Sequence, residues 1–301
     1  MNIMEVKSLT KAFGKHMAVN DLSFSIEEGR CVAMIGPNGA GKTTTLEMVA
    51  GLQKPTDGTI TFLGVEKTDF REHIGYLPQQ PVFFPWMNAV EYLVFMGELS
   101  GLSKTKAAKR AVELLELAGI AGAKKRKIGG YSGGMKQRLG IAQALINKPK
   151  LLMLDEPVSA LDPVGRREIL EMMKMLKENM TILFSTHILH DAEEVCDDVL
   201  IIHNGKLAIT GSLPDLRKNY QEDVIIISAA ENLEGWARSL ESWDVITKVI
   251  SKNETVEIFI KDVLLARSLI LAEITEKHLP ITSFTVGKTT LEDLFMKVVG
   301  K

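Results

Sequence analysis

Long apolar runs are missing from this chain of 301 residues. Its most apolar stretches are interrupted by charge, at Glu91 and Glu98 in one and at Arg267 in another, so no segment reads as a helix that crosses a membrane. The opening MNIMEVKSLT has no basic stretch followed by an apolar core, and the chain is expected to stay out of the secretory route. Cysteine is scarce. Cys31 and Cys196 stand far apart without metal-ligand spacing, which suits reduced thiols in a cytosolic protein and offers no catalytic pair. An excess of one charge is also absent: 36 basic and 38 acidic residues leave a formal charge of -2, which argues against nucleic acid or an anionic surface as a partner. The one dense basic run, Lys124 to Lys127, reads as a solvated loop. Sequence repeats, low-complexity tracts and a sustained heptad pattern are lacking, which excludes solenoids and long coiled coils.

What is present is an apolar content of 46%, enough over this length for one large domain and a smaller one. Residues 3 to 35 read as short strands broken by turns (IMEVKSL, AVNDLSFSI, CVAMIG), followed by a glycine-rich loop that runs into a helix ending near Leu52. A strand pair is expected around DGTITFLG. Residues 86 to 146 then turn mostly helical, with Asn88 and Glu91 spaced as an N-cap and its reciprocal partner. Strands return at LLMLD (151 to 155) and TILFS (181 to 185), apolar enough to be buried and parallel; Asp162 can cap the helix between them and Pro163 can open it. VLIIHNGKLAI predicts a hairpin on Asn204-Gly205. From about Gln221 the order becomes strand, helix, strand, strand, helix, strand, which is the ferredoxin-like βαββαβ order, with a last helix from Thr290. A boundary between Arg217 and Glu222 therefore divides residues 1–220 from residues 221–301.

The segment Gly36-Pro37-Asn38-Gly39-Ala40-Gly41-Lys42-Thr43 completes the pattern GxxxxGK[ST] directly after an apolar strand. Each residue type has a physical reason. Glycines let backbone N–H groups curl around phosphate oxygens, the helix start adds positive potential, Lys42 reaches the terminal phosphates, and Thr43 offers a hydroxyl to Mg²⁺. Asp155 ends the strand LLMLD, where it can hold Mg²⁺ through water, and the adjoining Glu156 can polarise an attacking water.

With these motifs the chain resembles the ATP-binding cassette (ABC) ATPases over nearly all of residues 3 to 220. The resemblance implies an α/β P-loop NTPase cassette: a mixed sheet core, an antiparallel β subdomain and a helical insertion at about 86–146, here with a C-terminal α+β domain of ferredoxin-like order. It gives a role to YSGGMKQR, which begins at Tyr131. In that family the Ser-Gly-Gly helix start of one subunit, here Ser132, Gly133 and Gly134, closes on the γ-phosphate held by the phosphate loop of another. It also implies that Thr44 joins the phosphate loop and that Gln79 touches Mg²⁺ and senses the γ-phosphate. Ser159-Ala-Leu-Asp162 would cross to the opposite subunit, and His187 would be the switch histidine. Phe13 stands where an aromatic stacks on adenine, although an ordinary core phenylalanine is the other reading. Tyr131 and Met135 replace the commoner Leu and Gln of the signature, and Phe13 replaces the more frequent Tyr. The YSGGM form and the tail TTLEDLFMKVVG are similar to the bacterial exporter branch.

The implied function is that of a subunit that binds and hydrolyses ATP and couples nucleotide-driven dimerisation to export through a separate integral membrane permease. Glu156, His187, Lys42 and Gln79 are then catalytic, with ATP and Mg²⁺ as cofactors, a homodimer or heterodimer of cassettes as the working unit, and a cytoplasmic place on the inner face of the cell membrane. In PVFFPWMNAVEYLVFM (81 to 96), Phe83, Phe84, Pro85 and Trp86 either line a groove for a short helix of the permease or fill the core of the insertion. The C-terminal domain either strengthens the dimer or binds a small regulator. An importer cassette with a regulatory C-terminal domain and a non-transport ABC ATPase are the alternative readings.

Overall fold

The computed structural model describes residues 1–66, 69–159, 161–220, 223–288, 292 and 295. The helix expected from Thr290 thus falls outside the described residues, as does most of the tail segment TTLEDLFMKVVG. The chain forms two compact units, Met1–Leu213 and Pro214–Lys301.

In chain order the first unit runs β1 (Asn2–Phe13), β2 (His16–Glu27), β3 (Cys31–Ile35), α1 (Lys42–Val49), β4 (Asp57–Phe62), β5 (Val65–Glu66), β6 (Ile74–Leu77), α2 (Ala89–Leu99), α3 (Lys104–Leu117), α4 (Gly133–Ala144), β7 (Leu151–Asp155), α5 (Pro163–Lys177), β8 (Thr181–Thr186), α6 (Leu189–Val195), β9 (Asp198–His203) and β10 (Lys206–Ser212). Two sheets result. One is antiparallel, in the order β2-β1-β4-β5; the other is mixed, in the order β10-β9-β3-β8-β7-β6, with only the β10–β9 pair antiparallel. Every residue of β3, β7 and β8 is buried, as parallel strands covered on both faces require. Buried side chains from both sheets and from α1, among them Leu9, Leu22, Met34, Leu46, Met153 and Leu183, share one core.

β1 and β2 run for twelve residues each, longer than the broken strands the sequence suggests. Ser8, at φ +48°, places an irregularity between Val6 and Leu9, and its N–H donates to Ser23 Oγ at 2.8 Å, so the strand bulges and continues instead of ending. The predicted caps are present. Asn88 and Glu91 exchange bonds of 3.0 Å at the start of α2, and Gly165 N–H donates to Asp162 Oδ1 at 2.7 Å where Pro163 opens α5. Asn204 and Gly205 both have positive φ in the β9–β10 turn. Burial pushes the Cys31 thiol well up and the Cys196 thiol up to about 12, which keeps both unreactive.

α7 (Leu213–Tyr220) begins at the division and leads to β11 (Asp223–Ala229), α8 (Glu234–Leu240), β12 (Ile246–Lys252), β13 (Thr255–Ile260), α9 (Val263–Glu276) and β14 (Ile281–Lys288). The sheet is antiparallel in the order β12-β13-β11-β14, and Ile225, Ile227 and Ile258 pack with Trp236 of α8 and Ala266 and Ile270 of α9. This is the ferredoxin-like arrangement.

Candidate nucleotide-binding site

The phosphate-loop segment leaves the end of β3 and enters α1 under tight backbone constraint. A Cβ at Gly36 would stand 2.4 Å from the Ile202 carbonyl oxygen. Gly41 is constrained twice, by a φ of +102° and by the Ala18 carbonyl oxygen 2.5 Å from where a Cβ would lie. As N-cap of α1, Gly41 supplies no side-chain acceptor, so the first N–H groups of the helix point outward with the positive end of its dipole. Lys42 is buried; its Nζ donates to the Gly36 carbonyl at 2.8 Å and the Pro37 carbonyl at 3.1 Å, and stands 3.5 Å from Glu156 Oε1.

β7 and β8 end side by side, which sets the acidic pair Asp155 and Glu156 beside Ser185. In the parallel ladder Asp155 lies opposite Ser185. Ser185 Oγ donates to Asp155 Oδ1 at 2.6 Å and accepts the Glu156 N–H at 2.8 Å. Glu156 sits at φ +46°, a left-handed conformation that turns its carboxylate away from the strand line and over Lys42. Its other oxygen meets His187 Nδ1 at 2.9 Å. Lys42, Glu156 and His187 therefore form one continuous chain of polar contacts. Burial, together with the Asp155 and Glu47 carboxylates, raises the nearby Tyr76 phenol far above its usual range, so it stays neutral.

A cleft of about 600 Å³ collects most of the sequence-predicted residues: Phe13, Asn38, Gly39, Gly41, Lys42, Thr43, Thr44, Gln79, Glu156 and His187 line it. Gly36 and Ala40 are buried behind the loop, and Asp155 is fully buried, off the cleft wall. Its Oδ2 is buried without a hydrogen-bond partner among the described residues, an oxygen whose desolvation nothing offsets. Phe13 is 48% exposed at the cleft rim, with Lys11 Nζ 5.1 Å from its ring centroid. His16, Ala18 and Ser159 also line the cleft, and sequence reading did not single out the first two. The signal for His16 was its hairpin position directly opposite Phe13. Ser185 was missed as well; its signal was the register of the two apolar strands.

Ser132, Gly133 and Gly134 do not enter this cleft. They line another of about 510 Å³, together with Arg138, Leu161 and Asp162. Ser132 caps α4, accepting the Met135 N–H at 3.2 Å, and a Cβ on Gly133 would meet nothing within 4 Å. Tyr131 turns inward, buried, and donates to the Ala123 carbonyl at 2.8 Å, so this departure from the commoner leucine leaves the outward-facing groups untouched.

Comparison with known proteins matches this geometry. A family model described as ABC transporter covers residues 19–159, and one described as the C-terminal domain of DrrA1-3-like ATP-binding proteins covers residues 211–299. The chain is 51% identical to the ABC transporter ATP-binding protein YxlF of Bacillus subtilis over 99% of both chains. It belongs to the family of ABC transporter ATP-binding proteins. It is also 34% identical to the linearmycin resistance ATP-binding protein LnrL of Bacillus subtilis, again over 99% of each. Among solved structures it is similar to the dimeric, post-hydrolysis ATP-binding cassette MJ0796 bound to ADP and Pi, at 28% identity and a TM-score of 0.64, over 70% of this chain and 98% of that one. As an ABC transporter subunit the protein binds and hydrolyses ATP, and subunits of this family act in pairs with a membrane permease. No helix among the described residues is long and apolar enough to cross a membrane.

Proposed function

We propose that this protein powers export, working from the cytoplasmic face of the cell membrane, by closing two cassettes as a twofold pair around two ATP molecules. The single observation that carries this reading is the division, between two clefts, of the residues assigned here to the γ-phosphate. Lys42, Glu156 and His187 converge in one, whereas Ser132, Gly133 and Gly134 form the wall of another. A twofold pair places the second cleft of each chain over the first of its partner and completes both sites.

Within each site the loop N–H groups and Lys42 bind the phosphates and Phe13 carries adenine. Glu156, oriented by His187 and by Ser185 through its own N–H, takes the proton from the attacking water. Thr43, Gln79 and the unpaired oxygen of Asp155 are hard oxygen donors that suit Mg²⁺, and no cluster of three or more His, Cys, Asp or Glu side chains among the described residues forms a protein cage for a metal. The ion, when bound, neutralises charge on the transferring phosphoryl group. Residues 1–220 serve as the cassette and residues 221–301 as a module that supports the dimer. The export direction rests on the linearmycin-resistance relative and on the signature form.

Replacing Glu156 by Gln keeps ATP binding and slows hydrolysis by orders of magnitude, which holds the closed state. Light-scattering chromatography of that variant is expected to give a monomer without nucleotide and a dimer with MgATP. A monomer in both conditions, with ATP bound, would sink the homodimeric reading.

A further inference from the structure

α5 and α6 each start beside a loop assigned to the site. Arg166 stands four residues past Asp162, the cap of α5, and Asp191 stands four residues past His187. The two side chains meet: Arg166 Nε donates to Asp191 Oδ1 at 2.7 Å, and Nη2 reaches the same oxygen at 2.5 Å. Asp191 is fully buried, and its Oδ2 has no hydrogen-bond partner among the described residues. Burial pushes its carboxyl up, and Arg166 opposes that shift.

The helices are tied again further along. Lys174 Nζ meets Glu194 at 2.7 Å, and Lys177 Nζ donates to the Val195 carbonyl at 2.9 Å and to Asp197 at 3.0 Å. Neither of those carboxylates is fully buried. Among the described residues, three cationic side chains thus lace α5 to α6 and its exit, and of these it is Arg166 that does so at the end that adjoins the functional loops.

We propose that Arg166 and Asp191 are positioning residues for ATP hydrolysis, which make the cleft lined by Leu161 and Asp162 and the switch residue His187 move as one. Both bonds from Arg166 fall on Oδ1, so the free Oδ2 beside it offers a second arrangement in which the guanidinium spans both oxygens. Pressure from a partner cassette on the Asp162 end displaces the first turn of α5. Arg166 follows, and Asp191 carries the start of α6 and His187 with it. His187 holds the Glu156 carboxylate at 2.9 Å, so a shift passed from the Asp162 end through the pair to His187 changes how the base is held. This rests on the roles proposed above for His187 and Glu156.

The test is the matched apolar replacement Arg166→Met/Asp191→Leu in the full chain, which removes both charges together so that neither is left buried alone. The expected result is a kcat lower by about tenfold or more, with KM for ATP and nucleotide binding within about twofold of native. Adding His187→Ala to this variant should lower kcat no further than His187→Ala alone, because the groups act as one unit. Lys174→Met, at the distal tie, keeps the native kcat. A native kcat in the apolar pair, or losses that add to that of His187→Ala, would overturn the inference. Asp191→Asn carries the same kcat and KM expectation and decides the matter if the apolar pair fails to fold. Hydrolysis at the native rate by His187→Ala alone would instead remove the site reading on which the inference stands.

Discussion

Glu156 is the residue on which the site turns, and its backbone records that. A non-glycine residue at φ +46° costs about 1–3 kcal/mol, and it persists here because Ser185 Oγ holds its N–H while Lys42 and His187 hold its carboxylate. Phe13 makes a simpler demand. Its ring is half exposed, with Lys11 near its face, and the contact proposed for it is a stacked base. Stacking of this kind contributes about 1–3 kcal/mol. Phe13→Ala is therefore expected to weaken ATP binding by about 5- to 150-fold without altering the folded state. A titration with a fluorescent nucleotide checks this, and an affinity within about twofold of native returns Phe13 to a structural role.

Among the elements, the approach to α2 divides its aromatic residues by direction. Phe83 meets Tyr92 edge-on at 5.2 Å and belongs to the packing of the insertion. Phe84 and Trp86, 5.2 Å apart, are 40% and 65% exposed, and Phe84 leans on Phe95 at 5.9 Å. An outward aromatic ledge just ahead of the capped helix α2 is suited to receive a partner helix. The double replacement Phe84→Ala/Trp86→Ala is expected to abolish co-purification with the permease and to leave hydrolysis by the isolated subunit within about twofold of native. Undiminished assembly and transport would place the docking surface elsewhere.

At the scale of the whole molecule, a site shared between two chains can be tested by mixing. Lys42→Ala damages one half-site and Ser132→Arg the other, so each homodimer carries two broken sites. In a mixed dimer one composite site regains both intact halves. Two inactive preparations combined in equal amounts are expected to recover about a quarter of native activity, from the half of dimers that are mixed, each with one working site. If mixing restores nothing, each chain holds its own complete site and the second cleft has another purpose.

The phosphate loop, the Asp155-Glu156 strand end, the caps at Asn88 and Asp162, the Asn204-Gly205 turn and the βαββαβ order were all legible in the chain, because each is a local requirement: a glycine conformation, a helix start, an alternation of apolar residues. Ser185, His16 and the Arg166–Asp191 pair were not. Ser185 reaches Asp155 only through the register of β7 on β8, His16 enters the cleft only through the pairing of β1 with β2, and Arg166 finds Asp191 only where α5 packs on α6. The sequence by itself determined the nucleotide chemistry, since that chemistry is carried by contiguous residues. Tertiary structure alone decided that Glu156 lies between Lys42 and His187, and that Ser132 faces a different cleft, because contacts between residues far apart in the chain depend on strand register and helix packing that no local pattern encodes.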